Sequence, residues 1–432
     1  MAKKTNAKKV QQPKKNVPAK EPVSEEPSNE EVSKTTENLT FCPCKIALSV
    51  VALLISVLIG YILLTGATQS SHSVLLNLDT TTRLSPEFLG IEGDFYKSNI
   101  SGLYIHHKEW KPNRNANVYA DPEYNIDDEQ LRYPRAVVVI SPGRYLHSEG
   151  WFDYFASRLA EEGAVAVYAF DQPGFGKSEG DRGYAESFET LIDEAESFVK
   201  MARAKYPGVP TVCLGEDIGA YTMAQLSYRK SLYSEEEGKL KIANGKKNIL
   251  CNGVAMFAPP KFGLIEKFYL KYDFFKKFVD FLSEKVPKLP VPVYYPNFML
   301  TFDSDVSKQF SNDKFASKMM RIRTLKLMMD ARKEILDHPE KITATLEIVQ
   351  GMNDTLTDDA YNQAVVEGAK HVFKSVGIPE LTRHFVITDK DTRDKTYSEF
   401  VDWLRLAIYN MVEDFGEETE AEIVEPVLKS QN

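Results

Sequence analysis

The chain has 432 residues, 43% hydrophobic, 27% charged and 11% aromatic, with a formal net charge of −9. Those figures exclude disorder over most of the length. The acidic balance argues against a nucleic-acid partner, because phosphate recognition needs a concentrated basic surface. The four cysteines show neither zinc-ligand spacing nor a disulfide framework, and Cys213 and Cys251, in apolar runs, read as lone buried thiols.

In chain order, residues 1–41 are Lys-, Glu-, Pro- and Ser-rich and hold too few apolar side chains to offset chain entropy; they read as a disordered tail. Next comes IALSVVALLISVLIGYILLT, residues 46–65, about twenty residues with no charge. At about 1.5 Å per residue it crosses a hydrocarbon core of about 30 Å. It starts too far from the N-terminus, and is too long, for a cleaved signal peptide, so it predicts one transmembrane helix acting as a signal anchor. Lysines 3, 4, 8, 9, 14, 15, 20, 34 and 45 precede it, and no Lys or Arg follows before Arg83. The positive-inside rule then places the tail in the cytoplasm and the rest in a lumenal or extracellular space. Cys42 and Cys44 would be palmitoylation candidates or plain thiols. Asn99, in an N-I-S sequon, would be a glycan acceptor; Asn353 begins an N-D-T sequon but is expected to stay unmodified.

Beyond the span, one domain is expected over residues 90–412, followed by an acidic tail at 413–432. Gly93–Pro112 alternates like a hairpin around Ser101-Gly102. Ala136–Ser141 has the apolar, β-branched character of a central parallel strand. Helix and strand patterns then alternate: helices at Trp151–Glu162, Ala185–Lys205 and Lys395–Met411, strands at Ala164–Phe170, Gly253–Ala258, Ala344–Gln350 and His384–Thr388. Such alternation implies a parallel sheet covered by helices on both faces. Residues 259–339 interrupt it as a helical cap in which Phe268, Tyr272, Phe275, Val279 and Leu282 share one helical face, with lysines 267, 271, 276, 277 and 285 around it. That face either packs on its own domain or covers a pocket for an acyl chain, or leans on a bilayer.

LGEDIGAY, Leu214–Tyr221, has the G-x-D-x-G shape of a nucleophile elbow. FDQPGFGKSEGDRGY (Phe170–Tyr184), EWKP before the third strand, PPKFG after the sixth and QGMND at Gln350–Asp354 accompany it in order. Together these motifs resemble the monoacylglycerol lipase group of the α/β-hydrolase superfamily, which includes the serine aminopeptidases and lysophospholipases. The resemblance implies an α/β-hydrolase fold with a helical cap, no cofactor and no metal. It implies a serine on the elbow, an acid after a later strand and a histidine after the last strand.

In this sequence the elbow, framed by Gly215 and Gly219, carries Asp217 in the serine position. Asp354 fills the acid position. Counted from His384–Thr388 as the last strand, the histidine position falls on Asp391 or Thr392, and His371 and His384 read as structural. The oxyanion donors would be the N–H groups of Arg144, in SPGRYLH, and Ile218. Aspartate elbows do serve haloalkane dehalogenases and epoxide hydrolases, but only with a histidine to activate water. The expectation is therefore a membrane-anchored, catalytically silent hydrolase-fold protein that binds lipid or protein; the alternative is a lipid-ester or serine-peptidase-like hydrolase with altered machinery. Asp217, Asp354 and Asp391 would converge, needing Arg144, Lys390, Arg393, a shared proton or a divalent ion to offset their charge.

Overall fold

Short runs of Val, Ile, Ala and aromatic residues each build one strand. The computed structural model describes residues 93–113, 134–207, 209–231, 250–291, 295–370, 374–377 and 380–416. The expected tail, the expected span at 46–65 and the acidic tail at 417–432 lie outside the described residues. Among the described residues, no helix is long and apolar enough to cross a membrane. The chain divides into two compact units, Met1–Leu64 and Thr65–Asn432, and every described residue falls in the second.

The strands are β1 (Asp94–Lys97), β2 (Tyr104–Trp110), β3 (Val137–Ser141), β4 (Ala166–Phe170), β5 (Thr211–Glu216), β6 (Gly253–Phe257), a short β7–β8 pair (Pro290–Val291 and Met320–Arg321), β9 (Thr345–Val349) and β10 (Lys374–Gly377). Eight form one sheet in the order β1-β2-β4-β3-β5-β6-β9-β10. β1–β2 and β2–β4 pair antiparallel; every later pair is parallel. The central strands are buried along their whole length because both faces are covered. Val137, Val139, Tyr168 and Cys213 point into one apolar cluster, and Val138, Ile140, Val167 and Leu214 into the other. Alternation of side chains along each strand divides these runs between two cores.

Helices Phe188–Ala204 and Ile218–Leu226 feed the first cluster, and helices Asp153–Gly163 and Arg393–Gly416 the second. Ser187 caps the first of these helices, its side chain accepting the Thr190 N–H at 3.0 Å. Helices follow the expected positions closely, and so do strands up to β9.

Two expectations fail. His384–Thr388 is not a strand: it is an irregular turn segment whose Phe385, Val386 and Ile387 are buried in the second cluster. The last strand is β10, ten residues earlier. Second, Cys213 and Cys251 are not lone thiols but a disulfide, with a Cα–Cα distance of 5.6 Å. The parallel pairing of β5 with β6 brings them together, Cys213 lying within β5 and Cys251 just before β6.

Between β6 and β9 the described residues form five α-helices: Gly263–Lys271, Asp273–Lys285, Asn297–Leu300, Ser304–Asn312 and Ile322–Asp337. The single aromatic face expected here is broken at Tyr272, which separates the first two. Phe275, Val279 and Leu282 pack inward against the first cluster. Leu264, Phe268, Phe274 and Phe281 face solvent.

Candidate active site

β5 ends at Glu216, and the chain turns at Asp217 straight into helix Ile218–Leu226. The turn is tight enough to force Asp217 to φ 49°, ψ −124°, a conformation that strains a non-glycine residue by about 1–3 kcal/mol. Its flanking glycines are steric necessities. A Cβ at Gly215 would sit 2.2 Å from the Gly219 carbonyl oxygen, and one at Gly219 would sit 2.1 Å from that of Ser141. Phe257 at the end of β6 anchors the turn by accepting the Asp217 N–H at 2.9 Å.

Asp217 meets an imidazole. His384 Nε2 lies 3.3 Å from Asp217 Oδ1, and His384 Nδ1 lies 2.9 Å from Asp354 Oδ2. His384 therefore fills the relay position, and the assignment to Asp391 or Thr392 is corrected. Asp391 is exposed in the turn before helix Arg393–Gly416, far in environment from the fully buried Asp217. The error came from the strand count: measured from β10, the histidine after the last strand is His384. Asp354 sits where expected, in the turn after β9, its Oδ1 accepting the Leu356 N–H at 2.7 Å.

On its other oxygen Asp217 is met by Arg144. Oδ2 accepts the Arg144 backbone N–H at 3.0 Å, and the Arg144 guanidinium Nε lies 3.3 Å away. Thus the N–H expected to serve an oxyanion is directed at the elbow carboxylate itself. The guanidinium is stacked on Tyr145, 4.4 Å from the ring centre, and lies 5.4 Å from the centre of the Tyr295 ring, which comes from the segment between β6 and β9. Asp217 and His384 are 0% exposed and Arg144 1%. Neighbouring Gly143 donates its N–H to Glu216 Oε2 at 3.0 Å. Ile218 opens the helix after the elbow and is buried.

The electrostatics follow from burial and neighbours. Burial disfavours charge on His384, but Asp354 and Asp217 outweigh it and push its pKa up to about 10. Burial likewise opposes ionisation of Asp217, while Arg144 and His384 hold its carboxyl below the ordinary range. Burial and the adjacent Asp217 push Glu216 up to about 8. The site thus sets the Asp217 carboxylate between a guanidinium and an imidazole pushed toward its charged form, beside a glutamic acid pushed toward its neutral form. The third carboxylate is Glu216, not Asp391. Of the expected compensating cations only Arg144 is here: Lys390 pairs with Asp305 at 2.6 Å, and Arg393 stacks over Tyr154, 3.6 Å from the ring centre. Among the described residues, no group of three or more His, Cys, Asp or Glu side chains could hold a metal ion.

The FDQPGFGKSEGDRGY motif has a scaffolding role. Asp171 accepts the N–H groups of Ser148 and Lys177 at 2.7 and 2.8 Å, and Arg182 ties the carbonyls of Phe175, Gly176 and Ser178. A buried His106 nearby touches both Ser148, at 2.7 Å, and Asp171, at 3.3 Å. Both contacts use Nδ1; the other ring nitrogen, Nε2, lies 3.3 Å from Glu149 Oε2, so the imidazole that touches Ser148 has a carboxylate on its opposite side.

Comparison with known proteins fits this frame. The family described as serine aminopeptidase, S33 matches residues 132–391. A monoglyceride lipase homolog of monkeypox virus is 30% identical over 122 residues, covering 28% of this chain and 37% of that protein. Human monoglyceride lipase is 25% identical over 141 residues, covering 33% of this chain and 40% of that protein. These matches thus span well under half of the relatives' own lengths. Among solved structures, a soluble variant of monoglyceride lipase from Saccharomyces cerevisiae, in complex with a substrate analog, gives a TM-score of 0.56 at 14% identity, covering 77% of this chain and 98% of that one. The monoacylglycerol lipase of Paleococcus ferrophilus gives 0.52 at 19% identity, covering 70% and 99%. The fold is the α/β-hydrolase fold.

Proposed function

The chain belongs to the serine aminopeptidase S33 family, and from that premise we propose that it is a membrane-tethered, hydrolytically silent relative of the monoacylglycerol lipases, acting by binding lipid or protein. The observation that carries this reading is the double engagement of the Asp217 carboxylate by Arg144 and His384 with all three side chains buried. Acyl transfer needs a neutral imidazole to take the nucleophile's proton and free N–H groups to receive the oxyanion. Here the imidazole already carries its proton, pushed up to about 10, and the Arg144 N–H is engaged by a resident carboxylate. A carboxylate attacking an ester would in any case leave an anhydride. Exposed Leu264, Phe268, Phe274 and Phe281 on the cap helices supply an apolar surface for the binding role, and lysines 267, 271, 276 and 277 lie on the same two helices.

The test is direct: incubate the purified full chain with a fluorophosphonate probe and, separately, with monoacylglycerols. No labelling and no turnover are expected. Steady ester cleavage abolished by Asp217→Ala would overturn the reading.

One observation favours a second reading. The Asp217–His384–Asp354 line is the arrangement an aspartate nucleophile needs, with Asp217 attacking an sp3 carbon and His384 activating the water that frees it. An alkyl adduct on Asp217 after exposure to a terminal epoxide, found by mass spectrometry, would select it.

A further inference from the structure

Two features of the described unit have no part in the elbow: the Cys213–Cys251 bond and the hairpin turn at Asn99. Both sulfurs belong to fully buried residues at the centre of the sheet, and such bonds form and persist where the surroundings are oxidising. Asn99 lies in the turn between β1 and β2 and is exposed, as is Ile100. The turn is fixed from beneath. The Ser98 hydroxyl accepts the Ile100 and Ser101 N–H groups at 2.9 and 3.3 Å and donates to the buried carboxylate of Glu194 at 2.7 Å. Glu194 also accepts the Ser101 N–H at 3.0 Å. The sequon Asn99-Ile100-Ser101 is thus held at the surface, and a glycan on it projects into solvent without disturbing packing. Asn353 is exposed as well, but its backbone is held by its N–H to the Thr382 carbonyl at 2.9 Å, and it immediately precedes buried Asp354, the partner of His384, so a glycan there would crowd the site. A third sequon, Asn38-Leu39-Thr40, precedes the uncharged run at 46–65, on the lysine-rich side.

We propose that the unit following that run matures in an oxidising, glycosylating compartment, where Cys213 and Cys251 join and Asn99 receives an N-linked glycan. The inference is independent of whether the elbow turns over any substrate. In the first step the two thiols lose two protons and two electrons to the disulfide of a thiol oxidoreductase, which leaves as the dithiol. In the second, the Asn99 amide nitrogen bonds the anomeric carbon of a lipid-pyrophosphate-linked oligosaccharide. The anomeric C–O bond breaks, the pyrophosphate lipid leaves with the electron pair, and the amide releases a proton.

The experiment expresses the full chain in insect cells, with Asn38→Gln, Asn99→Gln and Asn353→Gln variants alongside. Gel mobility is read before and after peptide N-glycosidase, and thiols are alkylated without reduction before peptide mapping. The expected result is a single mobility step removed by the glycosidase, missing only from Asn99→Gln, with Cys213 and Cys251 recovered as one linked peptide pair. Loss of the step in Asn38→Gln would reverse the orientation, and loss in Asn353→Gln alone would reassign the site. No step in the parent chain, or alkylated Cys213 and Cys251, would overturn the proposal.

Discussion

Replacing Asp217 by asparagine removes one charge from the elbow and keeps its shape, which isolates the effect of that charge on His384. The imidazole sits 2.9 Å from Asp354 and 3.3 Å from Asp217. Its pKa of about 10, against an ordinary 6.5, corresponds to on the order of 5 kcal/mol favouring the imidazolium, at about 1.36 kcal/mol per pH unit. An opposite charge at this range moves a pKa by roughly 1–3, so losing one of two carboxylate neighbours should bring His384 down to between roughly 7 and 9. Glu216 should fall as well, because the adjacent anion that holds it up is gone and Arg144 remains beside it. The assay is a histidine ring NMR titration of the full chain in detergent, parent against Asp217→Asn, with His384 assigned by its own substitution. If His384 titrates near 6.5 in the parent, or stays near 10 in the variant, the charge sandwich is wrong and hydrolytic silence loses its physical basis.

The same pKa fixes a pH dependence of stability. A group with a folded pKa raised above its unfolded value stabilises fully below the latter and loses the contribution as pH rises through the former. His384 therefore makes the melting temperature fall between pH 6.5 and about 10, and Glu216, raised to about 8 from 4.5, acts in the same direction over its lower window; a melting temperature rising across that range would contradict both. Arg144→Ala leaves a buried carboxylate with one cation fewer and should cost about 3–5 kcal/mol in chemical denaturation, while adding Asp217→Ala should restore a large part of the loss. Opening the bond of sequence separation 38 with Cys213→Ala and Cys251→Ala should lower stability by about 4 kcal/mol on the loop-entropy estimate, read as a shifted denaturant midpoint at unchanged slope. Finally, Asp217→Ser with Arg144→Ala places a hydroxyl against His384 and frees the loop N–H; it should gain fluorophosphonate labelling that Asp217→Ala with Arg144→Ala lacks.

The fold was legible because β3, β4, β5, β6 and β9 are short apolar runs separated by amphipathic helices, a pattern with few alternatives. The elbow was legible because Gly215 and Gly219 leave a steric signature around one residue. His384 was not, for a specific reason. HFVIT is an apolar, β-branched run, and such a run looks alike whether it forms a strand or merely packs its side chains into a core. Phe385, Val386 and Ile387 do the latter. The true last strand, KSVG, carries one large apolar residue and offers little pattern. One misplaced strand moves the expected imidazole position from His384 to Asp391 or Thr392 and hides the ring that stands against Asp217. The disulfide escaped for a different reason: Cys213 and Cys251 are 38 residues apart, and only the pairing of β5 with β6 brings them together. Strand order, not spacing, was the signal that could have found them.

With an imidazole at the elbow, the proposed silence depends on the charge of that ring and not on its loss. A serine hydroxyl at 217 would leave Asp354 as the one anion against His384, and a ring so placed can stay neutral near pH 7 and accept a proton. An aspartate there gives the ring a second anion, and burial offers no water to dilute either charge. The ring then holds its proton, and the buried aspartate needs a further cation, which the position after Gly143 provides as Arg144. The backbone N–H of the same residue meets Asp217 Oδ2, so the donor expected for an oxyanion is engaged by the carboxylate. Changing one atom group at the elbow thus propagates to the base, the loop and the hole by electrostatics alone. On the proposed reading, function comes from surfaces outside the elbow, where Leu264, Phe268 and Phe281 are exposed on the helices between β6 and β9.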